Sequence, residues 1–349
     1  MKTALVMLLF LSFGAPAGAG QFPLCMYGIN GPAELAAVKK AGFNCFQTYT
    51  QEPGKLAALA AGAARLELKM LAAPDKVIVS TYAAAARGWP MLAWYLCDEP
   101  DVQKMPPAEL ERLDRRVKAW DAEQRTAFVV GTGSAAYVYG ATADALMVDW
   151  YPVPHLGLET VGIHVALVKA GVKWTDLKRP QKPVWAVLQA FDWREYPPQL
   201  TPPVGRFPTF DEVRFMSYVA IARGASGLFY FTFSHKDGPL TTKPELWAIY
   251  ERIAGEINAL RPALESGLEA AAPAGLGAGL DAKVIAGGGR TFLILLNPAP
   301  ATAPLEPGAL EGWRPLFEPK PALADLLPPL PGGTALALPG YRVLILEKI

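Results

Sequence analysis

A chain of 349 residues carrying 33 Lys and Arg against 32 Asp and Glu has a net charge of +1, with no basic run to break the balance. That excludes a nucleic-acid partner and an anionic membrane surface, both of which demand a basic face. After residue 19 the apolar runs are all strand-sized, so no membrane anchor is expected.

Residues 1–19 have the three parts of an export signal. Lys2 supplies the charge, Ala4 to Phe13 the apolar stretch, and Ala17-Gly18-Ala19 the small-residue cleavage site. The mature protein is expected to start at Gly20 and to be secreted or periplasmic.

From Leu24 to Leu264 strands and helices alternate. The predicted strands are Leu24–Asn30, Phe43–Thr50, Leu68–Ala73, Met91–Leu96, Thr126–Gly131, Ala145–Trp150, Val184–Ala190 and Leu228–Phe233. Between them, helices are predicted over Pro32–Ala41, Gly54–Leu66, Ser80–Arg87, Pro107–Gln124, Ser134–Tyr139, Leu158–Ala170 and Phe210–Arg223, with Pro244–Leu260 closing the series. Gly42 and Gly224 stand where helix C-caps belong. Eight such units close a parallel (β/α)8 barrel over residues 20–266. A doubly wound sheet is disfavoured because no G-x-G-x-x-G opens the chain. Beyond Gly267 the helices stop. Short apolar runs at Lys283–Ala286, Thr291–Leu296, Thr334–Leu338 and Arg342–Leu346, with Gly287-Gly288-Gly289 between the first two, predict a small all-β sandwich over residues 267–349. The fold class is therefore α/β: a TIM barrel followed by that sandwich.

Three cysteines are too few for a disulfide framework. Cys25, Cys45 and Cys97 sit in apolar strands and read as buried free thiols, although Cys25 and Cys45 fall on adjacent strands, where one bridge could form.

In such a barrel the C-terminal strand tips form the active face. Strand four ends in Cys97-Asp98-Glu99-Pro100, and two adjoining carboxylates at a buried strand tip are costly unless they pair or work. Asp98 could instead pair with Arg87 or Lys69. The other tips add Tyr27, Gln47 and Tyr49, then Asp149, Trp150 and Tyr151, then Gln189, Asp192 and Trp193, and finally His235. Aromatic faces pack on sugar rings and carboxylates or amides bind their hydroxyls, so this rim suits a carbohydrate. Three histidines, none at metal-ligand spacing, and no phosphate loop leave no cofactor or metal expected.

Three segments, "AWYLCDEPD", "PVWAVLQAFDW" and "FMSYVAIARGASGLFYFTFS", make the chain resemble secreted bacterial glycoside hydrolase-like (β/α)8 proteins of the clan A type. The resemblance implies that Glu99 is the general acid/base and that a second Glu ends strand seven. The residue there is Gln189, which cannot be a nucleophile. Three outcomes stay open: an inverting glycosidase with Glu99 as general acid and Asp149 or else Asp192 as its partner, about 6.5–9.5 Å away, a substrate-assisted variant, or a catalytically silent sugar binder. The substrate-binding set is then Asp98, Tyr27, Gln47, Tyr49, Trp150, Tyr151, Gln189, Trp193 and His235. The alternative is a non-catalytic carbohydrate-binding barrel of the cell envelope; a metal-dependent barrel hydrolase or isomerase comes third.

Overall fold

Alternation with a period of two organises the barrel, hidden in the sequence because both faces of each strand are apolar. The computed structural model describes residues 20–196, 204–306, 308–317, 327 and 336–349; the expected export signal at 1–19 lies outside them. Strands β1 (Leu24–Met26), β2 (Cys45–Gln47), β3 (Lys69–Ala72) and β4 (Met91–Asp98) are followed by β5 (Thr126–Val130), β6 (Ala145–Asp149), β7 (Val184–Gln189) and β8 (Leu228–Phe231). All pair in parallel in chain order, and β1 closes the barrel on β8.

One row of side chains fills the interior, including Tyr27, Leu71, Tyr95, Met147, Trp185 and Phe229. The other row, with Met26, Phe46, Trp94, Phe128, Leu146 and Tyr230, packs under the helices. Burial on both faces is what a parallel sheet covered by helices requires. Cys25 and Cys45 are direct partners in the β1–β2 register and share the interior face, with Cα atoms 4.5 Å apart, and they form a disulfide. This corrects the free-thiol expectation for that pair; Cys97 remains a free thiol.

The helices are α1 (Leu35–Lys40), α2 (Pro53–Arg65), α3 (Asp75–Ile78), α4 (Ala83–Ala86), α5 (Pro107–Trp120), α6 (Ala136–Tyr139), α7 (Thr160–Thr175), α8 (Phe210–Ala222) and α9 (Pro244–Ser266). The single helix predicted over Ser80–Arg87 differs: α3 ends where the Ser80 hydroxyl donates to Val77 O, and α4 is a separate turn. α5 stops short of Gln124 because Asp121 is drawn inward to accept from Trp94 Nε1 at 2.9 Å. A capping box starts α8, with Thr209 Oγ1 accepting from the Glu212 N–H and Glu212 accepting from the Thr209 N–H. α9 runs through Pro262 and ends at Gly267, whose φ of 66° is the left-handed C-cap.

After a small hairpin of β9 (Ser234–His235) and β10 (Gly238–Pro239), the remaining strands are β11 (Leu268–Ala270), β12 (Asp281–Gly287), β13 (Arg290–Leu296), β14 (Ala303–Leu305), β15 (Trp313–Pro315), β16 (Leu336–Leu338) and β17 (Val343–Lys348). They form an antiparallel sheet ordered β11-β12-β13-β17-β15 and a two-stranded sheet of β14 and β16. On β13, Leu293 and Leu295 face the second sheet with Leu305 and Leu338, whereas Phe292, Ile294 and Leu296 join the barrel's outer core. The sandwich is thus packed on the barrel by one face of its larger sheet. The predicted barrel and sandwich are both present. Among the described residues no helix is long and apolar enough to cross a membrane.

Candidate active site

A β-bulge in β4 sets the chemistry of the barrel mouth. Tyr95 pairs with Ala127 and Asp98 with Val129, so three steps on β4 answer two on β5. Without the extra residue, the interior row through Ala93 and Tyr95 would continue to Cys97. With it, Cys97 packs against the outer core and Asp98 turns inward, where Tyr95 Oη donates to Asp98 Oδ1 at 2.5 Å.

Glu99 follows with φ 41°, a left-handed conformation that a Glu rarely adopts and that marks many functional sites. Its backbone is fixed on both sides: the Glu99 N–H donates to Val129 O at 3.1 Å, and Glu99 O accepts from the Gln103 N–H at 3.0 Å. Asp101 ties this loop to the end of β5 by accepting from the N–H groups of Gly131 at 3.0 Å and Thr132 at 3.1 Å. Gly131 leaves room for the Glu99 carboxyl, since a Cβ there would lie 3.1 Å from Glu99 Oε1 and 2.8 Å from Val102 Cγ2. Gly131→Ala is therefore expected to displace Glu99 and lower turnover by about tenfold while shifting the melting temperature little, because misplacing a reacting group is costly even without unfolding. Parallel turnover and thermal-melt measurements check this; unchanged turnover contradicts it.

The interior parity carries Asp149 of β6 into the same mouth, beyond Met147. Asp149 and Glu99 are in side-chain hydrogen-bonding contact. Two carboxylates cannot make that contact unless a proton lies between them. Asp149 Oδ2 accepts from Tyr151 Oη at 3.3 Å, while Oδ1 is buried with no ordinary donor. Burial first, then the Glu99 and Asp98 charges, raise the Asp149 carboxyl well above the usual range. Burial also raises Glu99, against the lowering effect of its hydrogen bond with Asp149. The expected separation of about 6.5–9.5 Å between Glu99 and Asp149 is corrected: the two are in contact.

The cavity over these acids has a volume of about 320 Å³. Asp98, Glu99 and Asp149 line it with Tyr27, Tyr49 and Tyr151; Val129 and Val187 also face it. Trp193, Phe191, Tyr196 and Phe231 complete the aromatic wall. Tyr151 stacks on Phe231 with centroids 5.7 Å apart, and Phe191 meets Tyr196 edge-on at 4.7 Å. Tyr49 is 46% exposed at the mouth. Burial raises the phenol of Tyr196 to about 12.

Several sequence candidates are placed elsewhere. Asp192 is the N-cap of the 3-10 turn Trp193–Glu195 and pairs with Arg194, Nε to Oδ2 2.8 Å. Burial would raise its carboxyl, but Arg194 outweighs that and holds it below the usual range. It does not line the cavity, so the choice of Asp192 as catalytic partner is corrected. Trp150 points away from the mouth, stacked 3.6 Å from His164 with its Nε1 donating to Thr160 Oγ1. Gln189 is a clamp: its Oε1 accepts from the Val153 N–H at 2.9 Å and its Nε2 donates to Val153 O at 2.8 Å, fixing the loop after β6. Gln47 Oε1 accepts from the Gly28 N–H at 3.2 Å, and its Nε2 is buried without a partner among the described residues. His235 is buried against Glu195 at 2.7 Å.

Phe191, Tyr196, Phe231 and Tyr95 were not anticipated as part of the site. Phe231 and Tyr95 continue inward rows, through Phe229 and Ala93 respectively, that only the folded barrel reveals.

Larger hollows exist without this chemistry. One of 490 Å³ lies where the barrel meets the sandwich, and there Glu212 is neutralised by Arg206 and Arg214 by Glu256. Another of 640 Å³, lined by Lys39, Asn44 and Lys69, opens at the opposite, N-terminal end of the strands.

No protein-family model and no curated protein matches the chain. Among solved structures, it is similar to a protein described as a glycoside hydrolase, with TM-score 0.62 and 14% identity over 94% of this chain and 92% of that one. A glycoside hydrolase family 5 protein from Bacteroides vulgatus superposes with TM-score 0.58 and 12% identity, covering 94% and 89%. An α-amylase from Geobacillus thermoleovorans, described as complexed with acarbose, gives 0.53 and 12% over 94% and 98%. At these identities the likeness is one of fold, a parallel barrel carrying an additional domain over nearly the full length of each chain.

Proposed function

We propose that this protein is an exported glycoside hydrolase in which Glu99 and Asp149 act as an acid–base pair sharing one proton. The observation that carries the reading is the contact between these two carboxyls in an aromatic-walled cavity at the C-terminal mouth of the barrel. An aromatic wall suits a sugar ring, and a carboxyl with a raised pKa can donate a proton near neutrality. The similar solved structures that are described as glycoside hydrolases support the reaction class.

In this reading Glu99, the partner nearer solvent, protonates the departing glycosidic oxygen. The anomeric carbon–oxygen bond breaks, a water adds to the carbon, and the proton it sheds passes to Asp149. The pair ends with the one proton it began with. Asp98 remains a carboxylate facing the sugar, held by Tyr95. Export is supported by the leader-like residues 1–19 and by the Cys25–Cys45 disulfide, which suits an oxidising compartment.

Release of reducing sugar from a panel of glycans tests the proposal; binding without release from any of them would favour the carbohydrate-binding alternative. The pH profile follows from the shared proton. Because burial raises both carboxyls and they share a proton, the pair titrates as a unit with separated steps. Turnover should be bell-shaped, falling in acid when both groups are protonated. The alkaline limb, where the shared proton is lost, should lie above the ordinary carboxylate pKa of about 4. A flat profile for kcat/KM argues against the pair.

A further inference from the structure

Three carboxyls and seven aromatic rings line the cavity, and no Lys, Arg or His is among them. One proton shared between Glu99 and Asp149 leaves the cluster negatively charged. Near this face Arg194 is paired with Asp192 and Lys243 with Asp237, His235 is hydrogen-bonded to Glu195, and the exposed Lys236 does not line the cavity. Buried negative charge is stable when a positive charge meets it, and here the protein supplies none. Nor are the acids grouped as metal ligands: among the described residues no set of three His, Cys, Asp or Glu side chains is arranged to hold a metal ion.

Two features point to what the missing charge is. Asp98 accepts from Tyr95 through Oδ1 alone, and its Oδ2 has no donor among the described residues. Asp149 is 9% exposed, and its Oδ1 is buried without a hydrogen-bond partner among the described residues. Around them stand aromatic rings, with Tyr27, Tyr49 and Tyr151 close enough to feel the charge of Asp98. An acid with aromatic rings around it suits an ammonium group, by charge pairing and by the attraction of a cation to an aromatic ring.

We propose that the cavity selects a sugar bearing a free ammonium group, a deacetylated hexosamine unit, seated with its nitrogen against Asp98. This rests on the glycosidase reading and names its substrate class. Uronic and sulfated sugars are rejected by the same charge, since a second anion would enter a cavity that holds no cation. A neutral hexose fits the rings but leaves Asp98 Oδ2 without its counter-charge.

The test uses the full mature chain at about pH 6, where such an amine is protonated. Glucosamine, glucose and glucuronate are titrated against it by calorimetry, and chitosan, cellulose and polyuronate oligomers are assayed for reducing-end release. Glucosamine should bind about tenfold or more tightly than glucose, and glucuronate least. In Asp98→Asn the ratio of glucosamine to glucose affinity should collapse to about one, because Asn keeps the shape without the charge. Added salt should weaken glucosamine more than glucose in the unmodified protein, which reads the same contact without a substitution. Equal affinities for glucosamine and glucose, or a preference that survives Asp98→Asn, overturn the proposal. Release from a neutral glycan with no advantage for chitosan oligomers likewise overturns it while leaving the hydrolase reading in place. An amino-sugar preference with no release from any glycan sustains the ammonium site and removes the hydrolase.

Discussion

Glu99→Gln is expected to lower hydrolysis of a natural glycan by about a hundredfold to ten-thousandfold, the usual worth of a general acid. Gln keeps the length and the hydrogen-bonding reach of Glu but cannot release a proton to the glycosidic oxygen. The left-handed backbone at residue 99 and its hydrogen bonds to Val129 and Gln103 involve only main-chain atoms, so they survive the change. Affinity for the sugar and the melting temperature should therefore hold nearly constant. Aryl glycosides with acidic leaving groups, which need little protonation, should lose much less. Steady-state kinetics on both substrate kinds read the contrast. Equal losses on the two, or full activity on the natural glycan, would remove Glu99 from the acid's role.

Asp149→Asn should abolish turnover to a similar degree, yet stabilise the fold. The folded-state pKa of Asp149 is raised above its unfolded value by burial and by the Glu99 and Asp98 charges. The native state therefore binds more protons than the unfolded chain across the window between those two values. Stability must fall as pH rises through that window, because each step up removes a proton the native site prefers to keep. Asn carries no charge to bury and can donate to Glu99, so the penalty disappears. The gain should be about 1–2 kcal/mol once the ordinary side chain would be ionised, a rise of about 1–3 °C in Tm for a chain of this size. It should widen towards alkaline pH and vanish in acid, where both variants are uncharged at this position. Thermal melts at several pH values distinguish this from a structural role, for which Asp149→Asn would lower Tm at every pH.

The barrel was legible because eight apolar β-rich runs alternate with helices, two of which end at Gly42 and Gly224. The carboxylates of β4 and β6 were legible because acids at the tips of apolar strands are hard to explain otherwise. The direction of each side chain was not. Trp150 and Gln189 lie as close in sequence to the mouth as Tyr151 and Trp193 do, and only the pleat and the turn beyond each strand separate the two outcomes. In an amphipathic strand the polar face would reveal the pleat; here both faces are apolar, so the pattern carries no parity. Asp192 failed for a different reason, since its partner Arg194 lies two residues away and that local ion pair competes with any role in the cavity. The contact between Glu99 and Asp149 joins β4 and β6 over the intervening β5, and no spacing along the chain encodes it. β11, β14 and β15 are three-residue strands, the latter two containing Pro, too short and interrupted to register as periodic runs.

The extra residue in β4 means that this strand is read in two frames. At Ala93 and Tyr95 odd-numbered side chains enter the pore; above them an even-numbered one does, and the change of frame is what exchanges a sulfur for a carboxylate at the mouth. Substitution at one position alters one side chain, whereas loss of one residue here would alter which side chains the pore contains, with the lower turns of the barrel untouched. Chain length over Leu96 and Cys97 is thus a determinant of acidity in its own right, independent of the identity of any acid. Barrels sharing this architecture can acquire or shed a charged mouth by a single-residue insertion or deletion at one strand tip, without a new side chain having to evolve.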